Sequence, residues 1–250
     1  MKKYEIKKHF CLTAIWLFTF IFLWLIFSYW FIVSAKTATG HNFSDISILK
    51  SVYMDNYQGL RMVVGVCSLP FLFSLNYLLL DEHSPFLLRF PSRNALVIKN
   101  AINSLGFSFI FALIHEVVCA LGCIIVFGHQ NVLHTQIIYF SVLNTLSVFL
   151  YFFRMALILL FVRNFITAKR AHYGVFVLYF VEIIFLAENL PDTIWLPCKD
   201  ALVIGELIEK TINSIDVALI LTREIVLCVI VLMLTLLGAE KKDVLTNEKN

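Results

Sequence analysis

The chain has 250 residues, of which 60% are apolar or aromatic and 15% are charged, and its mean hydropathy is +0.85. Soluble domains contain about 45–50% apolar and about 25% charged residues, so this chain could not cover a water-exposed surface with polar groups. The composition excludes a soluble or a disordered protein and predicts an all-α integral membrane protein. The net charge of +3 is too small to indicate nucleic-acid binding.

Six apolar segments predict six transmembrane helices. They cover residues 10–34, 60–80, 103–127, 136–162, 173–187 and 218–238. The first follows a basic stretch, as in a signal peptide, but its apolar run exceeds the about 7–15 residues of a signal-peptide core, so a retained helix is predicted. Lys and Arg concentrate in the segments that lie inside when both termini are cytoplasmic, and an even number of spans agrees with that orientation.

The loop between the fifth and sixth spans, residues 188–217, is long and is predicted to lie outside. Apolar residues recur in it at helical spacing, at Ala201, Ile204, Ile208, Ile212 and Ile215. This pattern predicts an amphipathic helix that lies in the outer interface, re-enters the membrane, or packs on the ends of neighbouring spans. The lysine-rich tail, residues 241–250, is predicted to be unstructured.

Three ionisable residues, Glu116, Arg154 and Glu182, lie deep in the predicted bilayer. A lone charge there costs at least about 2.5–3.5 kcal/mol, so either a structural ion pair or a substrate or proton pathway is expected. Glu116 shares a helix face with small residues that permit close helix approach: Ser104, Ser108, Ala112 and Ala120. We predict that Arg154 pairs with Glu116 and that Glu182 faces the permeation cavity. Arg223 and Glu224, near the outer end of the sixth span, are expected to reach the interface by snorkelling.

The sequence lacks common motifs for catalysis. No glycine is followed by lysine, which excludes a phosphate loop of the GxxxxGK type. There is no GxSxG nucleophile elbow. Residues 115–119 read HEVVC, which differs from the zinc pattern HExxH and has no third ligand at a suitable spacing. The sequence therefore predicts neither a catalytic site nor a metal site.

The predicted inner loop, residues 81–102, contains a short apolar segment that cannot span a membrane. It is bracketed by two prolines and flanked by two arginines, and comprises Pro85, Phe86, Leu87, Leu88, Arg89, Phe90, Pro91 and Arg93. Docking into another protein and contact with anionic lipids are both consistent with this composition. Ser92 is predicted to cap the helix that continues into the third span.

The pattern formed by Glu82, residues 86–93 and Lys99 resembles the segment between the second and third spans of type-2 ABC exporter permeases. It is closest to the small six-span permeases of bacterial peptide, bacteriocin and lantibiotic export or immunity systems. Residues 238–245 are similar to the end of these proteins after their sixth span, and the large outer loop before that span also agrees with them.

The resemblance implies a multi-pass permease of the bacterial cell membrane that moves a hydrophobic or amphipathic substrate, such as a peptide. Its implied partners are a separate ABC ATPase, which binds ATP and magnesium, a second permease copy or paralogue, and lipid; no cofactor is implied in this chain. The implied ATPase-coupling residues are Glu82, Phe86, Leu87, Leu88, Arg89, Phe90 and Arg93. Two other classes remain open: a membrane immunity or interaction protein that binds a peptide without transport, and an intramembrane enzyme.

Overall fold

The computed structural model describes residues 49, 52–53, 63, 67–79, 92–128, 130, 137–166, 168–187, 199–200 and 203–247. All regular secondary structure in these residues is helical. The helices are α1 (Ser68–Leu78), α2 (Arg93–Phe127), α3 (Ile137–Arg163), α4 (Ala168–Ala187), α5 (Val203–Ile208) and α6 (Ser214–Asn247). Three segments are long and apolar enough to cross a membrane: Arg93–Ile125, Ile138–Arg163 and Ser214–Lys241. The predicted class, an all-helical membrane protein, is confirmed for the described residues.

The helix boundaries differ from the predicted spans most at the ends of α2 and α6. α2 begins at Arg93, well before the predicted start at residue 103, so part of the predicted inner loop is helical. α6 continues to Asn247, so most of the tail that was predicted to be unstructured is helical as well. α1 covers part of the second predicted span, and the first predicted span lies outside the described residues. The total of six spans therefore stays a prediction.

Both of these long helices begin at capping side chains. The Ser92 side chain accepts a hydrogen bond from the backbone N–H of Ala95 at 3.2 Å, which confirms the predicted cap of α2. At the start of α6, Asn213 Oδ1 accepts from the N–H groups of Ile215 and Asp216 at 2.9 and 3.1 Å. Asp216 Oδ2 in turn accepts from the N–H of Asn213 at 2.9 Å. This reciprocal arrangement is a capping box, and it fixes the first residue of α6.

The predicted amphipathic helix before the sixth span is interrupted. α5 ends at Ile208, and Lys210 adopts a left-handed conformation with a φ of 59°, which ends the helix. Because the capping box at Asn213 then begins a new helix, Ile212 and Ile215 do not continue α5. The buried residues of α5 are Val203, Ile204, Gly205 and Ile208. α5 packs against α3 and α6. Of the three predicted placements, the described residues therefore show the third, which is packing on neighbouring helices.

α3 is the central helix, and it packs against the other five. It runs antiparallel to α2, because Phe109 meets Phe149 at a ring distance of 5.8 Å while Glu116, further along α2, meets Asn144, earlier along α3. α3 and α6 run parallel, because Leu150 lies by Cys228 and Asn164 lies by Thr235. One end of the bundle therefore collects the basic residues Arg93, Arg163, Arg170 and Lys241, and we call it the basic end. We call the opposite end the far end.

An aromatic cluster holds α1, α2 and α3 together. Phe71 of α1 is fully buried, and its ring centroid lies 5.5 Å from Phe107, 5.2 Å from Phe111 and 4.7 Å from Phe152. Offset and edge-to-face contacts of this kind add about 0.5–1.5 kcal/mol per pair to the gain from burial. The cluster therefore fixes the position of α1 along the axis of the central helix.

Candidate functional site

Four polar residues lie along one face of α3: Asn144, Ser147, Tyr151 and Arg154. They are separated by three, four and three positions, which places them on the same side of a helix. All four are buried. We call this set the polar track. Because an apolar interior cannot hydrate polar groups, each member needs a protein partner or a polar ligand.

The half of the polar track nearer the far end connects α3 to two other segments. Asn144 Nδ2 donates a hydrogen bond to Glu116 Oε2 of α2 at 2.8 Å. Ser147 Oγ donates to the backbone carbonyl of Asp200 at 2.9 Å. Asp200 thus lies well along the face of α3, since Ser147 is about 15 Å from the start of that helix.

The other half connects α3 to α1 and α6. The hydroxyl groups of Tyr151 and Ser68 form a hydrogen bond of 3.3 Å. Arg154 Nη1 donates to Glu224 Oε1 in an ion pair whose two side chains are both buried. Each member of the polar track therefore binds a different segment, so these four contacts together specify the neighbours of the central helix.

The guanidinium of Arg154 is surrounded by further polar and aromatic groups. It lies 5.7 Å from the ring centroid of Tyr151, which is within the range of a cation–π contact. Tyr179 of α4 also lies close to the guanidinium, without a hydrogen bond of normal geometry. Within the described residues, Arg154 Nε and Nη2 and Glu224 Oε2 have no hydrogen-bond partner. The pair therefore keeps donors and an acceptor that a polar group in the interior could use.

A second ion pair adjoins the first. Arg223 Nε donates to Asp200 Oδ2 at 3.0 Å and Arg223 Nη2 donates to Asp200 Oδ1, which is the two-point geometry that guanidinium and carboxylate groups favour. Asp200 also lies close enough to Glu224 for their charges to interact. The expectation that Glu224 snorkels to the interface is wrong, because its side chain is buried against Arg154.

Glu116 is not the partner of Arg154, so the predicted pairing is wrong. Its carboxylate accepts from Asn144 and, at 3.2 Å, from the hydroxyl of Tyr53. The reason lies in the helix boundaries. Because α2 begins at Arg93, its midpoint is near residue 110 and Glu116 lies toward the far end. Arg154 lies beyond the midpoint of α3 in the opposite direction, so the two residues are about 15 Å apart along the helix axis.

The remaining predicted residues are placed as follows. Glu182 lies on α4, near enough to Tyr151 and Tyr179 for their charges to interact. Its role in a permeation pathway stays a prediction. Arg93 is the first residue of α2, at the basic end. The other coupling residues lie outside the described residues: Glu82, Phe86, Leu87, Leu88, Arg89 and Phe90.

Sequence reasoning missed the polar track and two of its partners, Asp200 and Glu224. The track could have been found, because its spacing of three, four and three positions is visible inside an apolar segment. Its partners could not, since the approach of Asp200 to Ser147 and of Glu224 to Arg154 depends on tertiary contacts between distant parts of the chain.

No family model, curated protein or solved structure matches the chain. The fold and the site therefore define a class only. In the part of the chain that the structure describes, all regular secondary structure is helical, three helices are long and apolar enough to cross a membrane, and the central helix carries buried polar and charged residues.

Proposed function

We propose that the chain is the permease subunit of an ATP-driven exporter of the type-2 ABC class, with six spans and both termini in the cytoplasm of a bacterial cell. The observation that carries this proposal is the polar track with its buried Arg154–Glu224 pair. Ionisable residues inside membrane-spanning helices are costly, and they commonly mark substrate or ion pathways. The resemblance of residues 82–99 to exporter permeases supports the assignment to this class of transporter.

The basic end is then the cytoplasmic end, because Lys and Arg are enriched on the cytoplasmic side of membrane proteins. The proposed coupling loop precedes Arg93, which begins α2 at this end. Two hydrogen bonds at this end join α6 to its neighbours, the first to the start of α2 and the second to the residue after α3. Asn94 of α2 donates to Glu240 of α6 at 2.7 Å, and Asn164 after α3 donates to the Thr235 carbonyl of α6 at 2.9 Å. A movement of the start of α2 would therefore act directly on α6.

The two ion pairs beside Arg154 suit a neutral or amphipathic substrate. Arg154 is neutralised by Glu224, and Arg223 is neutralised by Asp200. The two pairs together carry no net charge that would attract an ion. A peptide with apolar side chains and polar backbone groups suits such an interior, in which hydrogen-bonding groups are surrounded by aromatic rings. Glu182 is the further acidic group that we assign to this pathway.

A second candidate is a non-transporting immunity protein that binds a peptide in the membrane. The close aromatic packing around Phe71 favours it, since a transporter must open its interior and this cluster ties three helices together. An immunity protein would bind its peptide without any ATPase.

Assembly with an ATPase tests the proposal. The tagged chain is produced in its native host and isolated in a mild detergent, and the ATPase is detected by nucleotide hydrolysis and by mass spectrometry. Replacing Phe86 and Leu88 by Asp should abolish the complex, because the coupling loop would lose its apolar contact with the ATPase. The control exchanges apolar side chains, Phe86→Leu with Leu88→Phe, and should retain the complex. A complex of normal activity with both aspartates would place the docking site elsewhere, whereas peptide binding with no associated ATPase would favour the immunity protein.

A further inference from the structure

The outward face of α4 carries a stripe of apolar residues that begins one helical turn after Arg170. We call Tyr173, Val177, Phe180 and Ile184 the α4 stripe. They recur at spacings of four, three and four positions, so they share one face of the helix. Tyr173 is 68% exposed and Phe180 is 49% exposed, although both are large side chains. The opposite face of α4 holds the buried residues that pack on the bundle, Ala171, Val175 and Tyr179.

Arg170 continues the α4 stripe by one helical turn toward the basic end. It is exposed, and it makes no ion pair with any described residue. α4 covers the predicted fifth span, residues 173–187, and the inference rests on that span lying in the membrane. A basic residue next to a tyrosine at the end of a membrane helix is typical of the level at which lipid headgroups lie.

From the arrangement of charge and apolar surface we infer that this face binds an anionic phospholipid. The phosphate would contact Arg170, the glycerol region would lie by the hydroxyl of Tyr173, and an acyl chain would follow the stripe to Ile184. The dimensions agree with this ligand. From Tyr173 to Ile184 the helix rises about 17 Å, and one leaflet of the hydrocarbon core is about 15 Å thick.

A second copy of the chain would fit this face less well. Symmetric dimers bring the same surface of both copies together, so Arg170 would meet either its own counterpart or an apolar part of the stripe. Neither compensates the charge, because the stripe contains no acidic residue. An anionic headgroup supplies the missing charge, and the acyl chain supplies the apolar contact.

Lipid selectivity in detergent micelles tests the inference without any measurement of transport. The full chain is titrated with palmitoyl-oleoyl phosphatidylglycerol or with phosphatidylcholine of the same acyl chains, and bound lipid is counted by native mass spectrometry. The intact chain should prefer phosphatidylglycerol, and Arg170→Gln should reduce that preference about fivefold, the effect expected of one basic residue near an anionic surface. Lys241→Gln is the matched control, since it removes the same charge from the same end of the bundle on α6, and it should leave the preference unchanged.

A second variant examines the apolar part. Phe180→Ser should weaken the binding of both lipids equally and leave the ratio between them intact, because Phe180 is assigned to the acyl chain and not to the headgroup. The inference is overturned if Arg170→Gln keeps the full preference, or if Lys241→Gln loses it to the same extent. It is also overturned if light scattering shows that Phe180→Ser dissociates a dimer, since the stripe would then be a protein interface.

Discussion

Replacing Arg154 by methionine should destabilise the protein more than any other single change in the polar track. The substitution keeps most of the side-chain volume but leaves the carboxylate of Glu224 buried without its cation. Removing one member of a buried ion pair costs about 3–5 kcal/mol, because the other charge is left buried and uncompensated. We therefore expect the free energy of unfolding to fall by about 3 kcal/mol or more.

The surroundings of the two side chains make the two single substitutions unequal. In Arg154→Met, the remaining Glu224 carboxylate lies near the Asp200–Arg223 pair, whose opposite charges offset each other, so no cation replaces Arg154. In Glu224→Gln, the remaining guanidinium keeps its cation–π contact with the ring of Tyr151, which offsets part of the loss. The Arg154 variant should be the less stable of the two. The double variant should lose about 3 kcal/mol less than the sum of the two single losses, because it strands no charge.

Unfolding by sodium dodecyl sulfate in mixed micelles, followed by helical circular dichroism, measures these differences. The matched control combines Arg154→Met with Glu116→Gln. These residues do not contact each other, so their effects should add to within about 0.5 kcal/mol. Additivity for Arg154 with Glu224, together with strong coupling to Glu116, would refute the pairing and restore the arrangement that the sequence alone had suggested.

Two further predictions concern packing. Phe71→Ala should lower the free energy of unfolding by about 3–5 kcal/mol, because it leaves a cavity among three aromatic rings. A loss below about 1 kcal/mol in the same detergent titration would show that α1 is not held by this cluster. Gly174→Ala should raise stability by about 0.5–1 kcal/mol, since a new Cβ there meets no atom within 4 Å. Gly238→Ala should not raise stability in this way, because its Cβ would lie 3.1 Å from Asn164 Nδ2. Equal stabilisation by both alanines would contradict the close approach of α6 to the end of α3.

The sequence predicted well those features that depend on local chemistry. The apolar composition predicted the helical membrane class, and the boundaries of α3 agree with the predicted fourth span to within a residue. Ser92 was identified as a cap because a hydroxyl before a helical segment satisfies a free backbone N–H, and that contact needs no tertiary information.

The predictions from sequence failed where the depth of a residue in the bundle and the register between helices decide which side chains meet. The start of α2 was placed at the beginning of the apolar run, whereas the cap at Ser92 begins the helix earlier, and this error moved Glu116 to the wrong level against α3. Glu224 was assigned to the interface because it lies near the end of its span. In the folded chain, Asp200 lies against that part of α6, and Glu224 is buried beside Arg154. Neither contact leaves a local pattern in the sequence.

Isolation of the intact chain from its native membrane tests the central functional claim most directly. The chain should co-purify in a fixed ratio with a protein that carries a GxxxxGK-type phosphate loop and hydrolyses ATP, and the Phe86→Asp, Leu88→Asp variant should lose that protein. A chain that purifies from gently solubilised membranes with no nucleotide-binding protein, while remaining folded by circular dichroism, would contradict the assignment as an exporter permease.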